Sequence, residues 1–148
     1  MDAVNFFSRE EKARIKSAIQ EAELNTSGEI RVHIENRCRE DVMDRAAWWF
    51  AKLEMHKTEL RNGVLFYLAI KDRKFAILGD AGINAVTPDD FWDKIKENML
   101  AHFTEGRFTE GLSEGILMAG EQLKVNFPHQ KDDVNELSDD ISFGGKGS

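Results

Sequence analysis

The chain has 148 residues, one cysteine, two prolines and a formal charge of −7, with 41% hydrophobic and 32% charged side chains. That length fits one domain with a core of its own, and the composition excludes collagen-like, mucin-like and wholly disordered chains. The acidic balance argues against a nucleic-acid partner. The longest apolar run, residues 64–70, is far short of the ~20 residues a membrane helix needs, so no membrane partner is expected. A lone cysteine and an N-terminus without a basic-then-apolar leader fit a reducing cytoplasm.

Residues 8–24 read as a helix. Ser8 and Glu11 form a capping box, and Ile15, Ala18, Ile19 and Ala22 share one face. Asn25 to Gly28 stops it. Residues 29–35 alternate strictly, Ile30, Val32 and Ile34 against Glu29, Arg31, His33 and Glu35, which predicts a strand with one polar face. Asp41 to Met55 returns to helical period through Val42, Ala46, Trp49 or Phe50, and Leu53. Asn62-Gly63 then opens a second strand, Val64 to Ile70, apolar on both faces as a covered central strand should be. The short link Lys71-Asp72-Arg73 leads into a third strand, Lys74 to Leu78, and predicts an antiparallel hairpin.

Gly79-Asp80-Ala81-Gly82 ends that strand in a loop. A third helix is expected from Thr87 as N-cap, with Pro88 at its first position, Asp89 and Asp90 in its first turn, and Phe91, Ile95 and Met99 as its buried stripe. A fourth, roughly 108–125, uses Leu112, Ile116, Ala119 and Leu123. Residues 1–128 form the expected domain. Residues 129–148, acidic and ending Gly-Gly-Lys-Gly-Ser, read as a flexible tail. The order α-β-α-β-β-α-α, with a right-handed β-α-β crossover, predicts an α/β fold: a Rossmann-like three-layer sandwich with a small mixed parallel and antiparallel sheet and helices on both faces.

This topology brings three turns to one rim. Strands one and two start there, at Gly28-Glu29 and Asn62-Gly63, and strand three ends there, at Gly79-Asp80, so Glu29, Arg61, Asn62, Asp80, Asp89 and Asp90 come within reach of one another. Hard cations want oxygen ligands of this kind, making Glu29, Asn62 and Asp80 the candidate metal ligands. Arg31, Arg61, Gly79 and Gly82 are candidates for binding a ligand beside the ion. Glycines at turns and acids at a helix start also have purely structural explanations. The opposite rim holds Glu35, Asn36, Cys38 and Asp72, without a dinucleotide fingerprint. Cys38 lacks the arginine spacing of a cysteine-dependent phosphatase. The four histidines lack zinc-ligand spacing, and no nucleophile elbow is present.

Three stretches carry a family resemblance: Thr26-Ser27-Gly28-Glu29-Ile30-Arg31-Val32; Arg61-Asn62-Gly63-Val64-Leu65; and Asp72 to Ile77 followed by Gly79-Asp80-Ala81-Gly82-Ile83. Together they resemble the TPM domain family, which includes the phosphatase-like domain of a thylakoid-lumen protein of photosystem repair. Phe91-Trp92, the stretch Phe103 to Phe108, and Phe127-Pro128 with Asp133 to Leu137 are similar to its short, stand-alone bacterial branch. The resemblance implies the same three-layer fold and a divalent cation, with Ca²⁺ ahead of Mg²⁺. For some members it also implies acid phosphatase activity. The expected function is therefore a TPM-like domain binding a divalent cation at the rim. The alternatives are a metal-dependent acid phosphatase acting on a phosphate ester, with Arg61 or Arg31 offsetting charge, and a protein-interaction module using the tail or Trp48-Trp49.

Overall fold

In a computed structural model, which describes residues 2–129 and 137–144, hydrophobic periodicity translates directly into layers. The elements run α1 (Ala3–Phe6), α2 (Arg9–Glu23), β1 (Glu29–Glu35), α3 (Val42–Lys52), a 3-10 turn (Met55–Lys57), β2 (Gly63–Ala69), β3 (Lys74–Gly79), α4 (Ala81–Asn84), α5 (Phe91–Thr104), α6 (Phe108–Asn126) and β4 (Ser142–Phe143). The sheet order is β3-β2-β1-β4. β2 pairs parallel with β1 and antiparallel with β3, as the crossover and the hairpin require.

Successive residues of β2 serve opposite cores. Val64, Phe66 and Leu68 join Ile30, Val32 and Ile34 against α2, α5 and α6. Leu65, Tyr67 and Ala69 pack with Ala46 and Phe50 of α3 and with Met55. Both faces of the sheet are thus covered, and the three-layer α/β sandwich is the fold. The capping box is formed: the Glu11 N–H donates to Ser8 Oγ over 3.1 Å, and the Ser8 N–H donates to Glu11 Oε1 over 2.9 Å.

One expectation is corrected, and two readings gain detail. The polar face of β1 is buried. Glu29, His33 and Glu35 are buried, because α3 and the chain after it lie over them. The third helix starts at Phe91 rather than after Thr87, whose hydroxyl instead donates to the Ile83 carbonyl and finishes α4. The stretch read as a tail carries structure over residues 137–144. There Ser142–Phe143 adds β4 to the outer edge of β1, in register His33↔Ser142 and Ile34↔Phe143. A 2.7 Å bridge between Lys16 and Asp140 fastens the same segment to α2. The rest of the expected tail, 130–136 and 145–148, lies outside the described residues, as do Asp133 to Glu136 of the family pattern.

Candidate functional site

The predicted rim forms. Glu29 lies opposite Gly63 and Val64 opposite Gly79, so the starts of β1 and β2 and the end of β3 are side by side. The Glu29 N–H donates to the Asn62 carbonyl (3.2 Å), and the Asp80 N–H donates to the Gly63 carbonyl (3.0 Å).

Its side chains are occupied with one another. Arg61, at φ 52°, turns its guanidinium onto Asp80 as a two-pronged pair, Nε to Oδ2 at 2.8 Å and Nη2 to Oδ1 at 2.8 Å. Asp80 Oδ1 also accepts the Ala81 N–H at 2.7 Å, capping α4. Asn62 donates its amide to Ser27 Oγ at 3.4 Å, and its N–H donates to Thr58 Oγ1 at 3.3 Å. Glu29 Oε1 accepts the Leu137 N–H at 2.5 Å. Glu29 and Asp80 flank β2 on opposite sides, two strand spacings or about 10 Å apart along the sheet. Among the described residues, no three His, Cys, Asp or Glu side chains are grouped so as to hold a metal ion.

Gly79 and Gly82 are glycines for packing reasons. A Cβ on Gly79 would lie 2.6 Å from the Trp92 ring, and one on Gly82 would lie 2.3 Å from the Leu60 carbonyl oxygen. Asp89 and Asp90 are exposed, and Asp90 makes no side-chain capping bond to α5.

Arg31 stands apart. It is partly buried and forms a wall of a cavity of about 260 Å³ with Leu53, Glu54, Lys57, Thr58 and Leu137. Its Nε is buried without a hydrogen-bond partner among the described residues. Burial lowers the guanidinium's affinity for its proton, and the Asp140 charge opposes this only in part.

At the other end of β1 is a cluster that sequence reading did not find. Glu35, fully buried, accepts four bonds. Arg45 contributes two, Nε at 3.0 Å and Nη2 at 2.6 Å, and Trp49 Nε1 and the Tyr67 hydroxyl each contribute one at 2.5 Å. Burial alone would raise its pKa, but the bonds from Arg45, Tyr67 and Trp49 hold it below the usual carboxylate range. His33 lies against Trp49, ring centroids 3.7 Å apart, and stacks on Tyr67 at 6.2 Å. The Ser142 hydroxyl donates to the Val32 carbonyl at 3.2 Å, so His33 Nδ1–H is the donor in its 2.6 Å bond to Ser142 Oγ. Burial depresses the His33 pKa to about 4, and the ring is neutral at pH 7. The advance signals were the alternation that put His33 and Glu35 on one side of a strand and the topology that put Glu35 on the opposite rim. Trp49 belongs to this cluster, whereas Trp48 is 49% exposed, with the Arg45 guanidinium 4.8 Å from its ring. Asn36 and Asp72 do structural work nearby, accepting the Ala3 N–H at 2.5 Å and the Cys38 N–H at 2.7 Å.

Comparison with known proteins agrees with this architecture. The family profile of the TPM domain matches residues 1–122. The chain belongs to the TPM domain family. Among solved structures, the BA42 protein of the psychrophilic bacterium Bizionia argentinensis is 48% identical, with 95% of this chain and 97% of that one covered and a TM-score of 0.89. The N-terminal domain of a P. gingivalis protein is similar at 21% identity, with 85% and 83% covered and a TM-score of 0.70. The N-terminal domain of Corynebacterium glutamicum cg2496 is similar at 13% identity, with 80% and 74% covered and a TM-score of 0.64. These last two neighbours share the fold alone. No curated protein sequence matches the chain.

Proposed function

We propose that this TPM domain binds a small oxyanion, of phosphate-ester size, in the cavity beside Arg31. One observation carries the reading: Arg31, whose buried Nε has no hydrogen-bond partner among the described residues, lines a cavity of about 260 Å³. An unpaired buried donor costs about 1–3 kcal/mol, and an anion's oxygen would meet that N–H while the guanidinium matched its charge. Lys57 on the same wall adds positive charge, though it shares it with Glu54 at 3.0 Å. The reading is one of binding rather than turnover, since it assigns no nucleophile.

A divalent cation at Glu29, Asn62 and Asp80 does not fit this arrangement. Asp80 spends both oxygens on Arg61 and one of them also on the cap of α4. Ca²⁺ takes six to eight oxygens at about 2.3–2.6 Å, so it would have to displace Arg61 first. The metal-assisted phosphatase reading depends on the same ion and gains no support from this rim.

Amide NMR titration of the full chain with phenyl phosphate, compared with R31Q, tests the proposal. Saturable shifts at Arg31 and Glu54–Thr58 are expected, and R31Q should lose them while keeping the rest of its spectrum. No saturable shift, or the same affinity in R31Q, would overturn the reading. A Ca²⁺ or Mg²⁺ titration belongs beside it. Localised shifts at Gly28–Glu29, Asn62–Gly63 and Gly79–Gly82 would reinstate the cation as the rim's ligand.

A further inference from the structure

A second cavity, of about 420 Å³, opens on the other face of the sheet at the opposite end of β1 and β2 from the Arg31 cavity. Its walls are aromatic and aliphatic: Phe6, Ile70, Phe75, Leu100, Phe103 and Phe108. The rings brace one another, Phe6 on Phe108 at 5.2 Å, Phe75 on Phe103 at 5.1 Å and Phe103 on Phe108 at 5.4 Å. The volume lies within the range of small-molecule sites, which are mostly apolar with a few polar groups fixing orientation.

Arg73 and Lys74 stand at this cavity, and their charges are not equivalent. The Lys74 ammonium is already turned to the carbonyls of Cys38 and Glu40, at 3.0 and 3.3 Å. Arg73 is exposed, sits at φ 53° in the β2–β3 turn, and has no ion pair or hydrogen bond to its side chain among the described residues. The acid next to it in the chain is taken: Asp72 holds the Cys38 N–H at 2.7 Å and Arg37 at 3.3 Å. In a chain of net charge −7, an unshared guanidinium at the edge of an apolar cavity selects for negative charge on one end of a molecule whose other end is hydrocarbon.

We propose that this cavity binds an amphipathic monocarboxylate, with its alkyl body among the phenylalanines and its carboxylate on Arg73. A planar guanidinium matches a carboxylate with two parallel hydrogen bonds. A fully hydrated phosphate would gain nothing from the apolar walls, and an alkylammonium would face like charge.

The test titrates the full chain with decanoate, decanol and decylammonium below their micelle concentrations, following amide shifts. Decanoate is expected to give saturable shifts at Phe75 and across Phe103–Phe108, with an affinity up to about fivefold above that of decanol, and decylammonium to bind more weakly than decanol. R73N removes the charge but keeps a residue that tolerates positive φ, and it should bring decanoate down to the affinity of decanol. Equal binding of decanoate and decanol by the wild-type chain would overturn the proposal, as would shifts that never saturate. Undiminished decanoate binding by a folded R73N would remove Arg73 from the site.

Discussion

His33 shows how a single buried side chain sets a pH response. Its pKa is about 4 in the fold, depressed by burial, against about 6.5 unfolded. Between those values the unfolded chain binds a proton that the native state refuses, so stability rises with pH and is lost as pH falls from about 6.5 towards 4. His33→Phe keeps a ring against Trp49 and Tyr67 and abolishes the titration. Urea unfolding at pH 7 and pH 5 should show the wild type losing about 2 kcal/mol more than H33F over that interval. Equal losses would mean that His33 is protonated in the native state. Glu35 adds to the acid sensitivity, since a carboxylate held below its usual pKa loses its advantage progressively as pH falls from the unfolded value through that lowered one.

Among the elements, α2 and α6 are joined more closely than any two helices with side chains between them. A Cβ on Gly120 would lie 2.6 Å from Ala22 Cβ, 2.8 Å from its Cα and 2.9 Å from its carbonyl oxygen. Backbone contact of that kind leaves no rotamer to relieve it. Gly120→Ala would normally gain about 1 kcal/mol of helix propensity, but overpacking costs roughly 1–3 kcal/mol, and here the obstacle is main chain. The expected result is a net loss of up to about 2 kcal/mol and a lowered thermal midpoint. A raised midpoint would show that α2 moves aside without cost. Helix periods such as Leu112, Ile116, Ala119 and Leu123 reveal which stripe is buried. They do not reveal which glycine on that stripe admits a neighbouring backbone.

For the whole molecule, Glu23 ties the end of α2 and the start of β1 to a C-terminal segment more than 100 residues away. It ends α2, its Oε2 accepts the Ile30 N–H at 2.9 Å, and its carboxyl bonds Asp139 of the C-terminal segment. Burial, with the Asp139 bond behind it, raises the Glu23 pKa to about 9. A raised carboxyl contributes most below its unfolded value of about 4.5 and loses that contribution as pH climbs towards 9. Glu23→Gln should flatten this decline, so that between pH 6 and pH 8 the wild type loses on the order of 2 kcal/mol more than E23Q in chemical denaturation. A parallel pH dependence in the two chains would place Glu23 among the ordinary ionised carboxylates.

The layers and the rim were legible in the sequence because each depends on local pattern. Alternation over residues 29–35, an apolar run over 64–70 and the Lys71-Asp72-Arg73 turn together dictate a parallel pair and a hairpin. That arrangement must return the Gly79-Asp80 turn to the starts of the other two strands. What the pattern could not convey is which partner each charge at the rim chooses. Arg61 and Asp80 are 19 positions apart, and only the folded turn shows that the guanidinium claims the carboxylate. Glu35 collects bonds from residues 45, 49 and 67, on two other elements, so a residue read as lying on a polar face becomes the centre of a buried cluster. β4 escaped notice because two residues in an acidic, glycine-ending stretch carry no period at all.

That two-residue strand has a consequence for how the protein is made. β1 is among the earliest elements to leave the ribosome, yet the hydroxyl that meets its His33 belongs to a residue 109 positions later. At bacterial and eukaryotic elongation rates of about 5–20 residues per second, the gap amounts to roughly 5–20 s. During that interval the outer edge of β1 waits with its backbone groups unpaired. The order of synthesis therefore makes the closing of the sheet a late event, after the hairpin and the helical layers have had time to assemble around the other strands.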